Sequence, residues 1–242
     1  MSWFIALAAL LSVVAGATAS VVGFGIGSLL TPLIAWRFGT DVAVAAIAVP
    51  HLAGGLLRGW RLRADIDRAL LLRFGILSAI GGLVGALAFA NLAPALLGRI
   101  LGALLVLTAT AGLTNWSKRW KPRGLVVWTL GALSGFFGGI VGNQGGLRAA
   151  ALSRFDLAPT VFVATSTVIG VVIDLVRSPV YLLRFGDRLS SMWLLITVMI
   201  LGVLAGTLAG ERLLLGMSPE RFRVIVSLAV GVLGIWFLAG AV

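Results

Sequence analysis

The sequence predicts an all-α polytopic membrane protein of about eight transmembrane helices, in two homologous four-helix halves that each open on a glycine-broken helix. Three observations predict it. The 242-residue chain is 60% hydrophobic and 11% charged, with a mean hydropathy of +1.11, whereas soluble domains are nearer half apolar and a quarter charged. Apolar runs of about 17–25 residues recur along the whole length, as roughly 30 Å of hydrocarbon demands. The chain also repeats itself around two glycine-rich interruptions, "GFGIGS" and "GNQGG".

The first span runs from Trp3 to Val22 and continues through "GFGIGS" into "LLTPLIAW". Its start mimics a signal peptide but has no basic leading region, so it reads as a transmembrane helix. The second span is Val42 to Leu57, the third Phe74 to Leu92 and the fourth Leu96 to Leu113. The fifth is Leu125 to Val141, continuing through "GNQGG" into "LRAAAL". The sixth is Thr160 to Val176, the seventh Met192 to Leu208 and the eighth Phe222 to Leu238.

Similar segments recur in the two parts. "RFGTDVAVAAIAV" follows the first break and "RFDLAPTVFVATS" the second, and "GGLVGALA" is matched by "GVLAGTLAG". The halves are then residues 1–116 and 124–242. Even numbers of crossings per half make the repeats parallel, related by an axis along the membrane normal. If each broken segment instead turns back, each half crosses an odd number of times and the repeats are inverted. Basic residues decide between the two. Arg61, Lys118 and Arg184 mark three alternate loops, and placing all three in the cytoplasm favours the parallel arrangement with both termini cytoplasmic, in an inner (plasma) membrane.

The formal charge of +11 does not point to nucleic acid, because the basic residues sit in short loops between apolar runs. There is no cysteine, which removes disulfides and thiolate chemistry. No Walker-type phosphate loop occurs, so ATP is not the direct energy source. The lone histidine, His51, has no second ligand at metal spacing. No cofactor and no metal are expected.

At its two breaks, "GFGIGSLLTPL" and "GGIVGNQGGLRAAAL", followed by "ATSTVIGVVIDLVRSPVYL", the chain resembles the sulfite exporter TauE/SafE family, also called the toluene sulfonate uptake permease family. The resemblance covers essentially the whole chain. It implies about eight spans in two halves and transport of small anions, mainly oxidised-sulfur compounds. One departure is that Pro32 follows the first break while Ala149 and Ala150 occupy the matching place after the second.

Breaking a membrane helix frees backbone groups that hydrocarbon cannot satisfy, and half-helix N-termini attract anions. Gly142, Asn143, Gln144, Gly145 and Gly146 at the second break, and Gly25, Gly27 and Ser28 at the first, are therefore candidates to line a binding site. Close helix packing is the competing role for the glycines. Arg148 offers a planar fork matched to sulfonate, sulfite or carboxylate oxygens, against a role as an interfacial anchor, which is the reading for Arg154 and Arg37. Asp174 is the one acid in a long apolar run; an ion pair with Arg177 or Arg148 competes with a part in substrate or proton coupling. Arg177, Thr165 and Ser166 complete the substrate set. Thr167, Asp174 and Tyr181 recur at heptad spacing as a polar stripe, and His51 follows Pro50 with Arg58 one heptad on. Asp174 and His51 are the candidates for carrying a coupling proton.

The reading is a secondary transporter of a small anion such as sulfite, another oxidised-sulfur or organosulfonate anion, or a small carboxylate, and not an enzyme. An intramembrane enzyme or a structural subunit of a membrane complex are the alternatives. One buried Asp and one His make a thin catalytic set, and a scaffold has no need of paired breaks. The expected partners are the anion, the lipid bilayer and a coupling proton, with self-association open.

Overall fold

The computed structural model describes residues 2–23, 25–89, 91–114, 123–142, 145–152, 155–213 and 219–240. These form ten α-helices and a 3₁₀ turn, with no strand among them. The helices are α1 (Ser2–Val22), α2 (Ile26–Phe38), α3 (Thr40–Arg61), α4 (Arg68–Phe89), α5 (Pro94–Thr114), α6 (Leu125–Val141), α7 (Gly145–Leu152), α8 (Pro159–Ser191), α9 (Trp193–Leu213) and α10 (Pro219–Leu238). Six of them, α1, α3, α4, α5, α8 and α9, are long and apolar enough to cross a membrane. Sequence chemistry sets several of their starts. Pro94 and Pro159 stand at first helical positions, where a missing N–H is harmless. The Asp67 carboxylate accepts the Leu70 N–H at 2.9 Å and so caps α4.

Large apolar side chains such as Leu10, Ile76, Ile80, Leu183, Leu201 and Val232 are exposed, a surface that suits lipid and not water. The interior is built instead on small residues. Gly135 and Gly139 of α6 abut backbone of Ser78 and Gly82 in α4, while Gly81 and Gly85 of α4 abut Ala132 and Phe136. Along this contact residue numbers rise together, so α4 and α6 run parallel. Gly202, Gly206 and Gly210 of α9 meet Ala9, Val13 and Ala17 of α1 in the same way, and the Ser20 hydroxyl donates to the Thr207 carbonyl at 3.2 Å. The matched "GGLVGALA" and "GVLAGTLAG" segments thus perform the same job, bringing two parallel helices into backbone contact.

The other two large contacts run antiparallel. Gly98 faces Phe237 and Gly112 faces Ser227 between α5 and α10. His51 faces Asp174, Gly55 faces Val171 and Gly59 faces Val168 between α3 and α8. An exposed ion pair, Arg188 to Asp41 at 3.7 Å, joins the end of α8 to the start of α3. This corrects the parallel-repeat expectation. An axis along the membrane normal would preserve helix direction, so the second and sixth spans would run the same way. Arg61, at the end of α3, and Arg184, near the end of α8, consequently lie at opposite ends of the bundle. The sequence cannot reveal this, because a hydropathy run has length but no direction.

The cause lies in the breaks. At each break the chain turns back. Gly23 and Gly25 adopt positive φ, 83° and 135°, and Gly25 folds against Thr18. α2 then returns beside α1, so that Phe4 stacks on Phe38 at 5.8 Å and Trp3 lies 6.2 Å from Trp36. At the second break Gly142 takes φ 70°, and α7 returns along α6, with Ala151 and Leu152 sharing an apolar cluster with Val127. The two hairpins enter from opposite ends of the bundle. Their tips touch, since a Cβ on Gly27 would come 2.5 Å from the Gly142 carbonyl oxygen.

Candidate anion-binding site

The hairpin tips sit beside the middles of α3 and α8, where the buried polar groups collect. Asp174 is wholly buried and lies on α8. Its Oδ1 accepts from Arg177 Nε and Nη2, both at 2.8 Å, and its Oδ2 lies 2.5 Å from His51 Nδ1 on α3. Arg177 Nη1 donates to the Gly138 carbonyl at 2.7 Å, and the Tyr181 hydroxyl donates to the Gly139 carbonyl. These are carbonyls of the last turn of α6, where the break ends the helical ladder; Gly138 also accepts the Gly142 N–H at 3.0 Å, so Arg177 takes its second lone pair. The "DLVRSPVY" stretch of α8 therefore caps the end of α6. Gly142 is glycine for a second reason here, because a Cβ would stand 3.2 Å from Arg177 Nη1.

About two turns toward the start of α8, two further arginines are held. Arg148 of α7 donates from Nε to Ser166 Oγ at 2.9 Å. Arg58 of α3 donates from Nε to Thr167 Oγ1 at 2.8 Å. The Nη1 atom of each is buried and has no hydrogen-bond partner among the described residues. Gly170 leaves room for the Arg148 fork, since a Cβ there would lie 3.4 Å from Arg148 Nη1. Neither arginine is within ion-pair distance of Asp174, whose oxygens are taken by Arg177 and His51. Of the two ion pairs weighed for Asp174, the one with Arg177 is made and the one with Arg148 is not.

The candidates named from sequence are thus sorted. Arg148, Ser166, Asp174, Arg177 and His51 all gather around the middle of α8. Gly25 caps α2, Gly27 packs at the hairpin contact, and Ser28 is buried in the first turn of α2. Gly145 and Gly146 open α7. Thr165 does different work: its Oγ1 accepts the Asp67 N–H at 3.0 Å and fixes the loop before α4. Asn143, Gln144 and Arg154 lie outside the described residues, as do Lys118, Arg119 and Lys121. Arg37 sits over the Phe4 ring at 5.0 Å, near the start of α1, as an end-of-helix anchor would. Arg58 was not among the site candidates. Its only sequence signal was its place one heptad after His51, and the adjacent Arg61 and Arg63 made it read as a loop charge. Among the described residues no cluster of His, Cys, Asp or Glu could hold a metal ion.

Chemically, the arrangement offers a carboxylate–imidazole pair bridging two helices, a neutralised arginine serving as a helix cap, and two arginines with spare donors. Buried guanidinium N–H groups left unpaired are costly, so such donors await an acceptor. Residues 8–237 match the family described as sulfite exporter TauE/SafE. No curated protein and no solved structure matches the chain.

Proposed function

The chain belongs to the sulfite exporter TauE/SafE family of membrane transporters, and from that premise we propose that it is a secondary transporter of a small oxidised-sulfur anion, bound at Arg148. The observation that carries this reading is the buried Nη1 of Arg148, without a partner among the described residues, on the helix that starts at the tip of the second hairpin. The N-termini of α2 and α7 both start at the hairpin tips, and helix N-termini favour negative charge. Discontinuous helices meeting inside a bundle are a common way to build a transport site.

The halves, residues 1–116 and 124–242, are inverted repeats in this reading. In support, exchanging each helix for its counterpart leaves the main packing partners unchanged: α1 on α9 becomes α6 on α4, while α3 on α8 and α5 on α10 map onto themselves. The end bearing Arg61, Arg63, Arg68 and Arg73 is cytoplasmic by the positive-inside rule. Both termini then face the opposite side, along with Arg184 and Arg188. The His51–Asp174 pair takes up a proton from water, or releases one to it, as the anion enters or leaves, because protonating that pair changes the charge next to the site.

Flux of labelled sulfite into proteoliposomes tests the reading. Purified wild type is expected to carry the anion, and an inward proton gradient to change the rate. Arg148→Lys should cut flux by roughly one to two decades, because a point charge does not reproduce a two-toothed fork. Arg184→Gln, an exposed position, should leave it unchanged. Equal flux from both variants would make Arg148 structural.

A further inference from the structure

Arg58 and Arg148 come to α8 from two different helices and bind neighbouring hydroxyls, Thr167 and Ser166. Both are nearly fully buried, at 5% and 2% exposure, and each keeps one guanidinium nitrogen without a partner among the described residues. Because their hydroxyl partners are adjacent on α8, the two positive charges are buried along the same stretch of that helix. Among the described residues neither is in an ion pair, and the two oxygens of the buried Asp174 are already engaged by Arg177 and His51. Three buried guanidinium groups face one carboxylate, so with neutral His51 the cluster holds two positive charges in excess. A low-dielectric interior does not tolerate that without counter-charge.

We propose that Arg58 and Arg148 form a two-arginine clamp for a divalent oxyanion, with Arg58 setting the preference for two charges over one. The inference rests on the reading of Arg148 as the anion ligand and adds a second ligand and a charge class. A monovalent anion supplies only one of the two missing charges. A tetrahedral or pyramidal anion with three or four oxygens presents a separate edge to each arginine and supplies both missing charges. The two Nε bonds to residues adjacent in sequence hold the forks in place.

Calorimetric binding of sulfate and methanesulfonate to the purified full chain, at constant ionic strength and neutral pH, separates the possibilities. The two probes share a sulfur–oxygen head but carry two charges and one. Wild type is expected to bind sulfate about tenfold or more tighter than methanesulfonate. Arg58→Gln should weaken sulfate by about tenfold or more while methanesulfonate stays within about threefold, collapsing the preference. Arg148→Gln should weaken both. Equal affinities in wild type, which need no variant to measure, overturn the clamp, and so does a preference that survives Arg58→Gln. In either case methanesulfonate binding that still depends on Arg148 leaves the transporter reading standing. Binding of neither probe also overturns the clamp; only if flux of every tested anion is absent as well does the transporter reading fall with it.

Discussion

Three arginines buried within some two turns of one helix have different fates, and the difference lies in what each nitrogen touches. Arg177 is saturated by Asp174 and the end of α6, so its loss is a structural event. Asp174→Asn would leave Arg177 and His51 facing a neutral amide. Breaking a buried pair from one side typically costs ~3–5 kcal/mol, so this variant should unfold at a clearly lower temperature in detergent. Arg58→Gln is expected to behave in the opposite way. It removes a charge that has no counter-ion, so in anion-free buffer its melting temperature should equal or exceed that of wild type. Thermal melts of the two variants side by side check the sign of both effects. Asp174 and Arg148 were legible in the sequence because each interrupts an apolar run. Arg58 was not, because its burial is created by α8, whose Thr167 lies 109 positions later.

At the scale of elements, glycine decides which helices can touch. A Cβ on Gly135 would collide with the Ser78 carbonyl of α4, and one on Gly206 with the Val13 carbonyl of α1. Backbone cannot move aside as a side chain can, so Gly135→Val and Gly206→Val should each cost about 1–3 kcal/mol or more. A drop in melting temperature and loss of a single symmetric peak on gel filtration would register it. Gly186→Ala is the matched control, because nothing lies within 4 Å of its added Cβ. It should be neutral or slightly stabilising, by up to ~1 kcal/mol. The positions of the helices and of both breaks could be read from apolar runs and glycine clusters. The reversal at each break could not. It depends on positive φ at Gly23, Gly25 and Gly142 and on contacts such as Phe4 with Phe38, which join residues far apart in sequence.

For the whole molecule, the antiparallel course of α3 and α8 makes a direct topological statement. Single cysteines placed at Arg61 and at Arg184 should react with a membrane-impermeant reagent from opposite sides, position 184 from outside. The native chain contains no cysteine, so the background is clean. Labelling of both from one side would contradict the packing of α3 on α8. The parallel contact of α1 with α9 carries a further consequence, in the order of biosynthesis. α1 leaves the ribosome first, yet Ser20 bonds to Thr207, which is made 187 residues later. At elongation rates of ~5–20 residues per second, the small-residue face of α1 waits roughly 10–40 s for its partner. Until then Gly16 and its neighbours meet lipid, or some other helix, in place of the backbone of Val203. Nascent chains released before α9 should therefore carry an undocked first helix and be the fraction that membrane quality control removes.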